Sequence, residues 1–301
     1  MHLRIGTRGS ALALTQTGMV ARSLEALGAT TELVIITTTG DRIQDRPLAE
    51  VGGKGLFVKE IEDALLAGRV EIAVHSMKDM PAEMHPELRI GAVPKREDPR
   101  DVLIPWSTAI RSLSELPDGA VIGTTSLRRR IQLLALRPDL RFSDLRGNVD
   151  TRLRKVRARE GVDAIVLAAA GLNRLGVSVP EAILLSTEEM LPAIGQGALC
   201  IQARADAFEL EALLIGLHDT HTGTCVSAER ELQERLGGDC KTPIAGYAEL
   251  DGHDVVVRGF YAHPSGTPVF RASLRSPAAY ARRTGGALAE ALLKQGAGVR
   301  S

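Results

Sequence analysis

Two stretches, Gly123-Thr124-Thr125-Ser126-Leu127-Arg128-Arg129-Arg130 and Leu145-Arg146-Gly147-Asn148-Val149-Asp150-Thr151-Arg152, bring glycine, hydroxyl side chains and guanidiniums together where an apolar run gives way to a helical pattern. A helix start leaves backbone N–H groups unpaired and carries the positive end of the peptide dipoles, so arginines placed there point to anion binding. Arg128 and Arg129, adjacent in a first helical turn, oppose that dipole and call for an anion to compensate them. The ligand expected here carries several negative groups. Arg130 points about 100° further round the helix and reads as solvated.

Other segments extend the set. Gly6-Thr7-Arg8-Gly9-Ser10 is a similar turn, although Ser10 would suit plain helix capping equally well. Val74-His75-Ser76-Met77-Lys78-Asp79-Met80-Pro81 places a hydroxyl, an ammonium and a carboxylate directly after a strand, where open α/β sheets bind ligands. Asp79 is the acid/base candidate; a solvated Lys78–Asp79 pair is the bland alternative. His75 reads as a packed strand residue. Lys54 in its glycine-rich loop, Arg174 after an apolar run, and Gln196 between two glycines complete the candidates.

The three cysteines lack the close pairing of zinc ligands, and an odd count does not fit a disulfide framework, so reduced thiols and no metal ion are expected. Cys200 and Cys225 alternate with apolar residues and read as buried. Cys240 lies in the glycine- and proline-bearing loop Leu236-Gly237-Gly238-Asp239-Cys240-Lys241-Thr242-Pro243 and reads as reachable. Lys241 would lower its pKa and Asp239 raise it, which leaves its reactivity open.

The elements that must position these groups alternate. Strands are predicted over 3–7, 32–37, 72–75 and 88–93, and helices over 11–27 and 56–67. After a charged, proline-flanked crossing near residue 100 come strands over 121–122, 140–143 and 164–167 and helices over 127–136 and 149–159. Such alternation implies largely parallel sheets covered by helices, in two similar lobes whose turns face a cleft. A further strand is expected over 195–202 and a helix over 208–217. A separate small unit near the C-terminus has a helix from 224, three short strands and a final helix over 277–295.

Equal counts of 37 basic and 37 acidic residues argue against a general nucleic-acid or membrane binder, as does an aromatic content of 3%. Without a long apolar run, a cytoplasmic protein is expected. A solute-binding protein is the rival reading from another class, but it has no use for a loop cysteine in a third unit.

The segments 51–60, 73–79, 126–129, 145–149 and Pro192-Ala193-Ile194-Gly195-Gln196-Gly197 together resemble the porphobilinogen deaminase (hydroxymethylbilane synthase) family in unbroken order. The resemblance implies an α/β fold of two periplasmic-binding-protein-like lobes around a cleft, plus a small C-terminal α/β domain with a three-stranded antiparallel sheet. Its implied division is domain 1 over 1–99 plus 197–217, domain 2 over 100–196, and domain 3 over 218–301. It also implies a monomer that joins four porphobilinogens head to tail, releasing ammonia, on a dipyrromethane held as a thioether by Cys240, with Asp79 catalytic. Binding of cofactor and substrate would fall to Arg8, Ser10, Lys54, Ser76, Lys78, Thr124, Thr125, Ser126, Arg128, Arg129, Arg146, Asn148, Arg152, Arg174 and Gln196. Asp239 and Lys241 stand where the family commonly has glycine and glutamine.

Overall fold

The computed structural model describes residues 1–42, 55–145, 147–237 and 242–298; Lys54, Arg146 and Cys240 lie outside them. β1 (His2–Thr7) leads into α1 (Ala11–Ala26) through a turn in which the Ser10 hydroxyl accepts from the amide of Ala13 at 3.3 Å. β2 (Thr30–Ile35) and β3 (Ile72–Ser76) pair parallel on either side of β1, with α2 (Thr39–Arg42) and α3 (Lys59–Leu66) between them in sequence. β4 (Leu88–Ala92) closes the sheet, but only through β10 (Leu199–Arg204), in the order β2-β1-β3-β10-β4.

The second lobe repeats this plan. β5 (Asp101–Pro105), β6 (Val121–Gly123), β7 (Arg141–Ser143), β8 (Ala164–Ala168) and β9 (Ile183–Leu184) take the order β7-β6-β8-β5-β9. Helices α4 (Leu127–Leu136), α5 (Val149–Arg157) and α6 (Ala169–Leu175) follow β6, β7 and β8. α7 (Glu211–Leu217) returns to the first sheet. The third unit packs α8 (Thr220–Leu236) and α9 (Ala281–Lys294) on β11 (Ile244–Asp251), β12 (Asp254–Ala262) and β13 (Val269–Pro277), all antiparallel.

Neither large sheet is largely parallel, contrary to the expectation from alternation. β10 runs antiparallel to β3 and β4, and β5 antiparallel to β8 and β9. The reason is connectivity. Strands of the βα units run towards the turns at the cleft, whereas a strand arriving from the other lobe starts at the cleft and runs away from it. The predicted strand over 195–202 accordingly starts only at Leu199, because Gly195 and Gly197 turn the chain with φ of 69° and 87°. β5 was hidden in the sequence by the charges before it, yet all five of its residues are buried.

Separate apolar clusters fill the lobes. Leu3, Ile5 and Leu24 pack with Ile201 and Leu214 in the first, Val102, Ile104, Val156 and Ile165 in the second, and Leu232, Val257 and Leu288 in the third unit. Between them run two straps, one outgoing at 93–100 and one returning at 191–198. Glu229 on α8, with 0% exposure, gathers both. Its carboxylate accepts from the Arg96 guanidinium at 2.5 and 3.1 Å, from Gly195 N at 2.7 Å, and from Ala248 N of β11 at 2.9 Å. Lost hydration works against the charge of Arg96, but Glu229 more than offsets it and raises the arginine's pKa. Removing one partner of such a pair leaves an uncompensated buried charge. Glu229→Gln is therefore expected to cost about 3–5 kcal/mol of stability in urea unfolding; a loss below about 1 kcal/mol, the value of an exposed pair, would show that Glu229 is no hub.

Candidate active site

The turn bearing Asp79 is a short 3-10 helix, Met77–Asp79, at the end of β3. Met77 and Met80 are 1% and 2% exposed and join Val58, Val93, Cys200 and Val226 in an apolar cluster. Two apolar anchors three residues apart on a tight turn leave Lys78 and Asp79 between them, and both are exposed. Neither side chain makes a hydrogen bond or ion pair among the described residues. Gly195 of the returning strap lies directly on Met77, so close that a Cβ there would stand 2.4 Å from Met77 Cγ.

Lys78 reaches water at the cleft, yet protein crowds it closely enough that lost hydration lowers its pKa; Asp79 pulls the other way, and the charges of Arg129, Asp101 and Arg128 from the second lobe also act on it. Groups from both lobes therefore share one electrostatic site.

The anion demanded by the paired arginines is present within the chain. Asp101 at the start of β5 is 0% exposed and forms ion pairs with Arg128 at 2.8 Å and Arg129 at 2.7 Å. Burial alone would raise the pKa of Asp101, but the two guanidiniums overcome it and hold the carboxyl well below the usual range. Arg128 also donates to Leu191 O at 2.7 Å and Arg129 to Val166 O at 2.9 Å. Two guanidiniums on one carboxylate leave one positive charge over. Arg130, expected to be solvated, folds back on Thr124 O at 2.8 Å and pairs with Asp144.

Several other candidates already have structural partners. Ser10, Ser126 and Asn148 are N-caps, accepting from Ala13 N, Arg129 N and Thr151 N. Arg8 pairs with Asp41 and lies 4.0 Å over the Phe57 ring, while Ser76 bonds Gln16 at 3.2 Å. Thr124 is buried and accepts from Ser126 N, whereas Thr125 is exposed. Arg152 donates to Gly147 O at 2.9 Å, and Arg174 to Gly197 O at 2.7 Å. Gln196 is 1% exposed. Asp101, Asp41, Gln16 and Glu229 were missed from sequence, since a lone acidic or amide residue signals nothing until its partners are known.

The family described as "Porphobilinogen deaminase, dipyromethane cofactor binding domain" matches residues 3–212, and "Porphobilinogen deaminase, C-terminal domain" matches 223–294. A porphobilinogen deaminase of Syntrophobacter fumaroxidans is 51% identical over 98% of this chain and 95% of its own length. The chain belongs to the porphobilinogen deaminase family. A second member, from Syntrophus aciditrophicus, is 49% identical over 98% of this chain and 96% of its own. Among solved structures, the methionine-binding protein MetQ aligns with 76% of this chain and 94% of its own at 12% identity and a TM-score of 0.43.

As a porphobilinogen deaminase, the chain carries the family's dipyrromethane-binding domain. Its donor set fits such a carboxylate-bearing group: a net-positive Arg128–Asp101–Arg129 triad from the second lobe and Lys78 from the first. Cys200 and Cys225 are buried, as their alternation implies, with burial pushing their thiols up to about 12 and about 11. His75 is buried too, and lost hydration lowers it to about 4, so it is neutral at pH 7. Among the described residues no helix is long and apolar enough to cross a membrane.

Because the strap seats the Asp79 turn, Gly195→Ala is expected to combine a strained positive φ with a clash on Met77. The expected result is about 1–3 kcal/mol of lost stability in chemical unfolding, accompanied by a lower kcat; wild-type values of both would show that Met77 has room to yield.

Proposed function

We propose that Asp79 is the catalytic carboxylate and Cys240 the attachment point of the dipyrromethane in an enzyme that joins four porphobilinogens head to tail, releases ammonia at each addition, and frees hydroxymethylbilane by hydrolysis. The observation that carries the assignment is the placement of Asp79: an exposed carboxylate with no hydrogen-bond partner among the described residues, on a turn pinned at both ends, within one electrostatic site with a net-positive arginine pair. The division into 1–99 with 197–217, 100–196, and 218–301 is part of the same reading, supported by the two straps and the three sheets.

Each porphobilinogen carries an acetate, a propionate and an aminomethyl group. When bound, the dipyrromethane supplies the primer to which units are added. Arg128 and Arg129, fixed by Asp101, take the carboxylates in a guanidinium geometry that needs no rearrangement on binding. Asp79 accepts from pyrrole N–H groups and faces the positive charge that develops as ammonia leaves, which a fixed carboxylate stabilises. The same oxygens receive the proton lost when the new carbon bond forms. Arg8 joins the binding set by exchanging Asp41 for a substrate carboxylate, Lys78 and Thr125 offer donors already exposed, and Lys54, Arg146, Arg152 and Arg174 are assigned to the same work. The enzyme is read as a monomer of the cytoplasm that engages neither nucleic acid nor membrane, in keeping with its balanced charge and free buried thiols.

Asp79→Asn should retain the fold and the mass of the bound dipyrromethane while losing at least about 100-fold in the rate of ammonia release; near-normal turnover would reject the assignment. For Cys240, intact-protein mass spectrometry should find a dipyrromethane-sized addition that is absent from Cys240→Ser. With Cys200 and Cys225 protonated and buried, the native protein should also take up almost no thiol reagent at pH 8. An active, unmodified protein with one quickly labelled thiol would overturn the attachment.

A further inference from the structure

Gln196 stands among the ligand-binding candidates from sequence, but its geometry points to a different task. It sits in the returning strap with only 1% exposure. Its Nε2 donates to Pro99 O at 2.7 Å and to Asp101 Oδ1 at 3.1 Å, while its backbone carbonyl accepts from Arg96 Nε at 2.8 Å. Pro99 and Arg96 belong to the outgoing strap, and Asp101 follows it directly. One amide side chain thus stitches the two straps together.

The oxygen it reaches is already in use. Asp101 Oδ1 accepts from Arg129 Nε at 3.1 Å and Nη2 at 2.7 Å, while Oδ2 pairs with Arg128. On the other side, Gly195 bears on Met77 beneath the Asp79 turn and donates to Glu229 at 2.7 Å. Two consecutive strap residues therefore touch the supports of both halves of the site, the carboxylate turn of the first lobe and the arginine pair of the second. A residue so enclosed and so bonded has no donor left for a substrate carboxylate.

We infer that Gln196 is a positioning residue: by tying the returning strap to Asp101 it fixes where Arg128 and Arg129 stand relative to Asp79, so that the cations and the carboxylate act on the growing chain in register. The inference rests on the proposed function. Loss of the tie leaves the charges in place but frees their spacing, and a displacement of about 1 Å costs on the order of 100-fold in rate.

The test uses the full-length holoenzyme with porphobilinogen. Gln196→Met, close in volume and without the amide, should lower kcat about 10- to 100-fold while KM stays within about twofold and the intact mass of the loaded protein is unchanged. Because Gln196 acts through the Asp101 pair, its effect should be strongly non-additive with Arg129→Lys: the double variant should lose at least about tenfold less than the product of the single losses. If Gln196→Met gives no folded protein, Gln196→Asn, too short to span the straps, carries the same cycle. A raised KM with kcat retained would make Gln196 a ligand contact, and strictly multiplicative losses would make it ordinary packing; either overturns the inference. A wild-type protein inactive on porphobilinogen would instead reject the function itself.

Discussion

A carboxylate buried away from water must collect its counter-charges and donors from the chain around it, and wherever it does so it fixes those parts relative to one another. Glu229 does this for the whole molecule. It sits on α8 of the third unit and takes in Arg96 from the outgoing strap, Gly195 from the returning strap and Ala248 from β11. Asp101 repeats the arrangement one step nearer the cleft, with Arg128, Arg129 and Gln196 as its partners. Arg96 joins the two centres through the carbonyl of Gln196. The unit that includes the Cys240 loop in sequence is thereby connected, bond by bond, to the cations of the second lobe.

This arrangement separates two kinds of positive charge. Arg128 and Arg129 are buried and held by Asp101, so their placement is settled before any ligand arrives. Lys78 is exposed and makes no hydrogen bond among the described residues, and Arg8 pairs with Asp41, a partner it could exchange. On the proposed assignment, a site that takes in a lengthening chain of carboxylates would use both: fixed cations for register, and exchangeable ones for whichever unit is passing.

Much of this was legible in the sequence, in a graded way. Periodicity located α1, α4 and the three strands of the third unit because each buries one face, and the glycine and hydroxyl turns marked the strand-to-helix junctions. Direction of pairing was not legible: β5 and β10 read as ordinary strands or as none, and only the path of the chain between lobes shows why they run backwards. At the site, the demand of Arg128 and Arg129 for an anion was visible, but its source was not. Asp101 lies in a dense run of charges, where nothing local distinguishes a buried ion pair from a solvated one. The glycines that flank Gln196 mark close approaches to Met77 and Glu97, neither of which is adjacent in sequence.

The exchange of strands between lobes has a further consequence on the ribosome. β4 is complete when residue 92 has been made, yet β10, its only sheet neighbour among the described residues, begins at Leu199. For more than a hundred residues of synthesis the edge of β3 that will receive β10 stays open, and β4 has nothing to bond to. During the same interval the second sheet gathers all five of its own strands. The lobe that begins first thus closes last, and the nascent chain must keep an unpaired strand edge from other chains until the returning strap arrives.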